Sequence, residues 1–194
     1  MELTLDMSRQ YTYADYLQWL DDKRRELING FIRIMSSPAT THARVVNRLN
    51  ITLSYFISRH NGKCEVFVAP FDVRLPKNGE KDDNKIFSVV QPDIVVVCDP
   101  SKIDEKGCLG APDMVVEVLS PSTRKYDLNE KFNLYEASGV KEYWIVEPFV
   151  KDVAVFLLQE NGRYAERAIY RSGAKIPVQT LPGLEVDTEK LFTR

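Results

Sequence analysis

A chain of 194 residues, 44% hydrophobic and 28% charged, has the size and balance of one domain with a real apolar core. That excludes a disordered or fibrous chain and leaves little room for a second full-sized domain. Its 26 basic and 28 acidic side chains leave a formal charge of −2, so any site for a polyanion has to be local.

The N-terminus MELTLDMSRQ lacks the basic start and apolar stretch of a signal peptide, and no apolar run approaches the ~20 residues of a membrane span. The three cysteines, Cys64, Cys98 and Cys108, match neither a zinc ribbon nor a disulfide framework. A soluble, cytoplasmic protein in a reducing compartment is expected, with no membrane partner.

Thr12 and Asp15 form a capping pattern, and Tyr13, Tyr16, Leu17 and Leu20 then follow at helical spacing. Asn29-Gly30 between two apolar runs predicts a β-hairpin over residues 25–35. Val45, Val46, Leu49, Leu53, Phe56 and Ile57 mark one face of a longer helix from Thr41 to about Ser58. Strand-like runs cover residues 64–75, 89–98 and 113–120, with the polar KNGEKDDNK between the first two read as a solvated, mobile loop.

A helix starts at Asp127, with Glu130 as its capping partner, and Gly139 closes it. Strands follow at 142–147, 152–158 and, after the Asn161-Gly162 turn, about 163–170; the PGLEVD segment closes irregularly. Runs 89–98 and 113–120 are apolar on both faces, as central strands under helices are. The expected fold is α/β, a central mixed sheet flanked by helices with additional hairpins.

Carboxylates that interrupt these strands carry the functional signal. Glu117 lies inside Met114-Val115-Val116-Glu117-Val118-Leu119, and Asp93 opens Pro92-Asp93-Ile94-Val95-Val96-Val97. A buried carboxylate without a partner costs several kcal/mol, so a cation, a set of donors or a proton has to compensate it. Mg²⁺ suits two such acids because it takes oxygen ligands and few of them from protein. Lys131 falls within the inward arc of Leu128, Phe132 and Tyr135, and an ammonium there needs anions.

Each residue also has an ordinary explanation. Asp93 can be a strand start, Glu117 a donor-satisfied acid, and Lys131 a side chain reaching solvent along its stem. His42 is seven positions before Leu49, on the apolar stripe of its helix, where a hydrogen-bonded core role is common. Glu26 faces Arg33 across the hairpin, the arrangement of a cross-strand ion pair. No zinc-finger spacing, HExxH, GxSxG, P-loop or GxGxxG occurs.

The order ELING, a His-led helix, PFDVRL, QPDIVVV, GAPDMVVEVLSPST, Lys131 in NEKFNLYEASGV, and EYWIVEP resembles the Uma-type family of putative restriction endonucleases. That family belongs to the PD-(D/E)XK nuclease superfamily. The resemblance runs from about Tyr11 to Phe192 and implies a single restriction-endonuclease-like domain. It also implies that Asp93 and Glu117 are the paired acids, and that Lys131 replaces the motif lysine that would stand where this chain has Leu119. Glu26 and His42 match family positions near the site. Asn29, Glu147 and the longer loop after Leu75 depart from the pattern.

The function so implied is Mg²⁺-dependent hydrolysis of phosphodiester bonds in DNA, with Mn²⁺ as a substitute. Asp93, Glu117 and the Val118 carbonyl would hold the metal, and Lys131 would position or deprotonate the water. Glu26 would complete the shell, and His42 would move a proton or touch phosphate. A positive mouth built from Arg124, Lys125, Lys131, Arg44 and Arg48, and a homodimer for cutting two strands, complete the expectation. The rivals are a noncatalytic dimerisation or nucleic-acid-binding module and a phosphohydrolase of small phosphates.

Overall fold

The computed structural model describes residues 4–35, 37–60, 62–120, 127–165 and 168–193. The capping box at Thr12 forms: its hydroxyl accepts from the Asp15 backbone, and the Asp15 carboxylate accepts from the Thr12 N–H at 2.8 Å. The helix it opens, α1 (Tyr13–Tyr16), is shorter than expected, and Leu20 is 94% exposed. Anchoring falls to aromatic rings instead, since Tyr13 is buried with Tyr11, Leu27, Ile32, Ile86 and Val89.

The predicted hairpin is β1 (Arg25–Ile28) and β2 (Phe31–Ile34), with Glu26 opposite Arg33. Asn29 and Gly30 both have positive φ, 50° and 84°, the conformation a two-residue primed turn requires. Helix α2 (Thr40–Arg59) buries Val45, Leu49 and Leu53 along the predicted stripe.

Two long predicted strands each divide between two sheets. Residues 64–75 become β3 (Glu65–Val68) and β4 (Val73–Arg74), and residues 89–98 become β5 (Val89–Val90) and β6 (Ile94–Val97). The second break falls at Gln91-Pro92-Asp93, where proline has no N–H to give a ladder. With the hairpin, β7 (Ile103–Asp104) and β8 (Gly107–Leu109), β4 and β5 make one six-stranded sheet in the order β2-β1-β5-β4-β8-β7.

The other six-stranded sheet adds β9 (Met114–Val118), β10 (Glu142–Glu147), β11 (Asp152–Leu157) and β12 (Ala168–Arg171), in the order β12-β11-β10-β9-β6-β3. It is mixed: β9 and β10 are parallel, and helix α3 (Phe132–Ser138) lies in their crossover. A wide π-type turn, Asp127–Lys131, leads into α3, and Gly139 ends it at φ 88°. Any capping by the Asp127 side chain lies outside the described residues.

PGLEVD is less irregular than expected. It supplies β14 (Glu185–Asp187), paired with β13 (Lys175–Pro177), and Asp187 caps the closing helix α4 (Thr188–Phe192). The polar segment 77–85 likewise folds into two 3-10 turns, Lys77–Gly79 and Asp83–Lys85, because Asp82 caps the second and the next residue, Ile86, is fully buried.

Alternation along the central strands divides two cores. Ile94, Val96, Met114, Val116 and Val118 pack with the α2 stripe, whereas Val95, Val97, Val115 and Leu119 pack with Tyr135, Tyr143 and the sheet that holds β1, β4, β5 and β8. Glu117 has the parity of Val115 and Leu119, so it enters the second core.

The cysteine expectation is corrected. Antiparallel pairing of β3 with β6 sets Glu65 opposite Val97, which brings the next pair outward, Cys64 and Cys98, together as a disulfide. Local spacing rules miss a pair separated by 34 positions. Cys108 is the free cysteine, and burial pushes its thiol up to about 11. No helix among the described residues is long and apolar enough to cross a membrane.

At Gly107, φ is 112° and a Cβ would stand 2.2 Å from the Asp72 carbonyl oxygen. That oxygen accepts from Cys108 N at 2.8 Å. Gly107→Ala is expected to cost about 3 kcal/mol through backbone strain and overlap, measured by urea denaturation. A loss within about 0.5 kcal/mol, the range of an ordinary surface change, would contradict the contact.

Candidate active site

Asp93 stands where the chain leaves one sheet for the other. Its Oδ2 accepts from the Val118 N–H at 2.8 Å and lies 2.9 Å from His42 Nε2. Ile94 pairs with Val116, so the Asp93 carboxylate takes over the hydrogen bonding of β9 after Pro92 breaks the ladder. His42 reaches it from the first turn of α2. Hydrogen bonding to a carboxylate places a proton on Nε2, and Nδ1 is buried without a hydrogen-bond partner among the described residues.

The second group is deeper. Lys131 Nζ is 2.8 Å from Glu117 Oε1 and 2.9 Å from Glu26 Oε1, with side-chain exposures of 3%, 5% and 2% respectively. Lys131 comes from the turn before α3, Glu117 from β9 and Glu26 from β1, so three remote segments supply the cluster. Tyr135, four residues after Lys131, donates its hydroxyl to Glu117 Oε1 at 2.7 Å. Burial, then the charges of Glu117 and Glu26, keep that hydroxyl protonated far above the usual tyrosine range.

Glu26 Oε1 also accepts from Gln91 N at 2.7 Å. The Gln91 side chain accepts from Arg24 Nη2 at 2.9 Å and donates to Asp72 Oδ1 at 2.9 Å. Arg33, opposite Glu26 in the hairpin, makes an ion pair with Glu130 at 2.7 Å. Glu26 is thus an interior carboxylate facing an ammonium, beyond the surface cross-strand pair its spacing suggests.

All five predicted side chains line one cavity of about 880 Å³, as does Val118. The basic mouth is different from the expected one. Arg24 and Arg33 line the cavity, whereas Arg44 does not, and Arg48 donates to the Leu191 and Thr193 carbonyls. Its helical position turns Arg48 toward α4 instead. Arg124 and Lys125 lie outside the described residues.

Sequence reasoning passed over Tyr135 as a donor, although its spacing of four from Lys131 marks the same helix face. It also passed over Gln91, whose side chain and backbone act together only after the strand breaks. The buried Glu142 is an instructive contrast. It accepts from Trp144 Nε1 at 2.8 Å and Thr180 N at 2.7 Å, so N–H donors compensate it.

Around the cavity, Asp93, Glu117 and Glu26 offer carboxylate oxygens, the chemistry a hard divalent ion selects. Among the described residues, no three or more His, Cys, Asp or Glu side chains are grouped to hold a metal. A divalent ion bound here would have fewer than three such side chains as ligands, which Mg²⁺ tolerates.

Removing the Tyr135 hydroxyl takes a donor from a buried carboxylate. Tyr135→Phe is expected to lower stability by about 1–3 kcal/mol in denaturant titration. An unchanged midpoint would mean that Glu117 does not depend on this bond.

Residues 13–189 match the model of the Uma2 family, described as "Putative restriction endonuclease". Two uncharacterised proteins of Synechocystis sp. are similar. Slr1290 is 26% identical over 151 residues, covering 76% of this chain and 74% of its own. Sll1609 is 26% identical over 145 residues, covering 71% and 75%. A crystal structure of a putative nuclease belonging to DUF820 from Anabaena variabilis superposes with a TM-score of 0.75 at 20% identity, covering 94% of this chain and 97% of that one. The backbone agreement extends the likeness to the whole architecture, and the matched stretch includes every residue of the cluster: this chain belongs to the Uma2 family of putative restriction endonucleases.

Proposed function

We propose that this protein is a divalent-metal-dependent endonuclease that hydrolyses phosphodiester bonds in DNA. The carrying observation is the convergence of Asp93, Glu117, Lys131, Glu26 and His42 on one cavity from separate parts of the chain. Family membership and the likeness to a nuclease structure support the same reading.

Asp93, Glu117 and the Val118 carbonyl would hold Mg²⁺ or Mn²⁺, which supplies neutralisation of charge growing on the phosphoryl oxygens. A carboxylate has about four acceptor directions, so donors on Asp93 Oδ2 and Glu117 Oε1 do not exhaust either group. Lys131, fixed between Glu117 and Glu26, orients the attacking water and offsets phosphoryl charge. His42, hydrogen-bonded to Asp93 through Nε2, orients that carboxylate and is the group assigned to proton transfer or phosphate contact. Glu26 keeps the ammonium in place. Wherever both strands are cut, a symmetric pair of chains is part of the reading.

The noncatalytic module has one observation in its favour: the protein's own groups already compensate these carboxylates, Glu26 and Glu117 by the Lys131 ammonium and Asp93 by hydrogen bonds from His42 and Val118 N–H. Calorimetric titration with Mg²⁺ and Mn²⁺, beside cleavage of plasmid DNA and mononucleotides, separates the readings. Metal binding with plasmid cleavage, both lost in Asp93→Asn, is the expected result. Hydrolysis of mononucleotides alone favours the small-phosphate enzyme, and neither binding nor cleavage favours the module.

A further inference from the structure

The wall of the cavity changes in character along α2. His42, Val46 and Asn50 are successive lining residues four apart, and Asn47 stands beside them. Residues at that spacing share a helix face, and eight positions cover about 12 Å. The strip therefore runs from an imidazole at Asp93, past an aliphatic surface, to two carboxamides. Met35 and Val68 extend the aliphatic part.

The groups at the reactive end are largely buried. Asp93 keeps 17% of its side-chain exposure, and Glu117 and Lys131 keep 5% and 3%. Among the described residues, Arg33 is engaged with Glu130, Arg24 with Gln91, and Arg48 with backbone carbonyls. A duplex-binding face takes its affinity from many cations laid along the phosphates. A single strand gains affinity from contacts to base faces, which a duplex keeps stacked inside.

We propose, building on the nuclease reading, that this cavity takes one unpaired nucleotide and that the substrate is single-stranded DNA or the unpaired part of a duplex. The phosphate lies at His42 and Asp93, the base rests against Val46 and Met35, and its edge meets Asn47 and Asn50. A carboxamide both donates and accepts, so it satisfies the edge of any base and the recognition is tolerant of sequence.

The test uses short fluorescein-labelled oligodeoxynucleotides of mixed sequence, offered as a single strand, as a blunt duplex and as a duplex with an unpaired flap. Binding is read by anisotropy with the full-length chain in Ca²⁺, and cleavage is read separately in Mg²⁺ or Mn²⁺. The single strand and the flap should bind at least about tenfold more tightly than the blunt duplex, and Asn47→Ala with Asn50→Ala should remove about tenfold of that advantage. Both positions are outside the buried stripe of α2, and a far-ultraviolet melt matching wild type establishes that the double variant folds. Preferential binding without cleavage in either metal upholds this inference and overturns the nuclease activity. Equal cleavage and binding of single strand and blunt duplex overturns the inference and leaves the nuclease reading standing. An asparagine pair that can be lost without effect on binding also overturns the assigned recognition.

Discussion

Lys131→Ala is expected to be among the most destabilising single substitutions in this chain. It removes the ammonium from between Glu26 and Glu117, which remain 1% and 4% exposed, and two carboxylates are left facing each other in the core. Breaking a buried ion pair from one side costs about 3–5 kcal/mol. In a domain of this size that lowers the melting temperature by roughly 10 °C. Glu26→Gln added to Lys131→Ala should recover part of the loss, because it removes one of the two like charges while Gln can still accept from Gln91 N. Circular-dichroism melts of the single and double variants measure both effects. If Lys131→Ala melts with the wild type, the ammonium is not what holds the carboxylates, and the cluster described above is wrong.

Asp93→Asn should separate chemistry from folding. The amide oxygen can still accept from Val118 N–H, so the end of β9 keeps its partner, whereas the charge that would face a cation and hold His42 is gone. Under the proposed function, metal-dependent cleavage falls about a hundredfold or more, equivalent to a few kcal/mol of lost transition-state stabilisation. Asp93→Ala should lose the activity and, in addition, about 1–3 kcal/mol of stability, because it strands the Val118 N–H. Single-turnover cleavage and denaturant titration of the two variants read these separately. Full activity in Asp93→Asn would remove this residue from the catalytic group.

The comparison of Glu117 with Glu142 shows where local reading stops. Both are acids within apolar strands, and both are buried. In the sequence Glu117 lies inside an apolar run, whereas Glu142 stands only at the start of a predicted strand, with no burial expected for it. What compensates each is remote. Glu142 receives N–H groups from Trp144 and from residues 179 and 180, whereas Glu117 receives Lys131 and Tyr135. Its place inside the apolar run 114–119 singled out Glu117 in the sequence, and the family resemblance paired it with Asp93; neither identified Tyr135 as a donor.

Elements whose cause is local were legible for the same reason. The Thr12 cap, the Asn29-Gly30 turn, the α2 stripe and the Gly139 stop depend on short-range sterics and hydrogen bonds written into adjacent residues. The breaks at Gln91-Pro92-Asp93 and after Val68, the Cys64–Cys98 bridge and the true lining arginines depend on which segments become neighbours, and pairing between distant strands sets that.

By itself, then, the sequence determined the fold class, the main helices and strands, and that Glu117 in its apolar run must be compensated, since burial pattern and turn chemistry are local properties. Only the tertiary structure decided the compensators. It alone brought His42 to Asp93, and Lys131 to both Glu26 and Glu117. The reason is physical: a side chain's solvation depends on its amino-acid type and burial, but its partner depends on geometry closed over the whole chain.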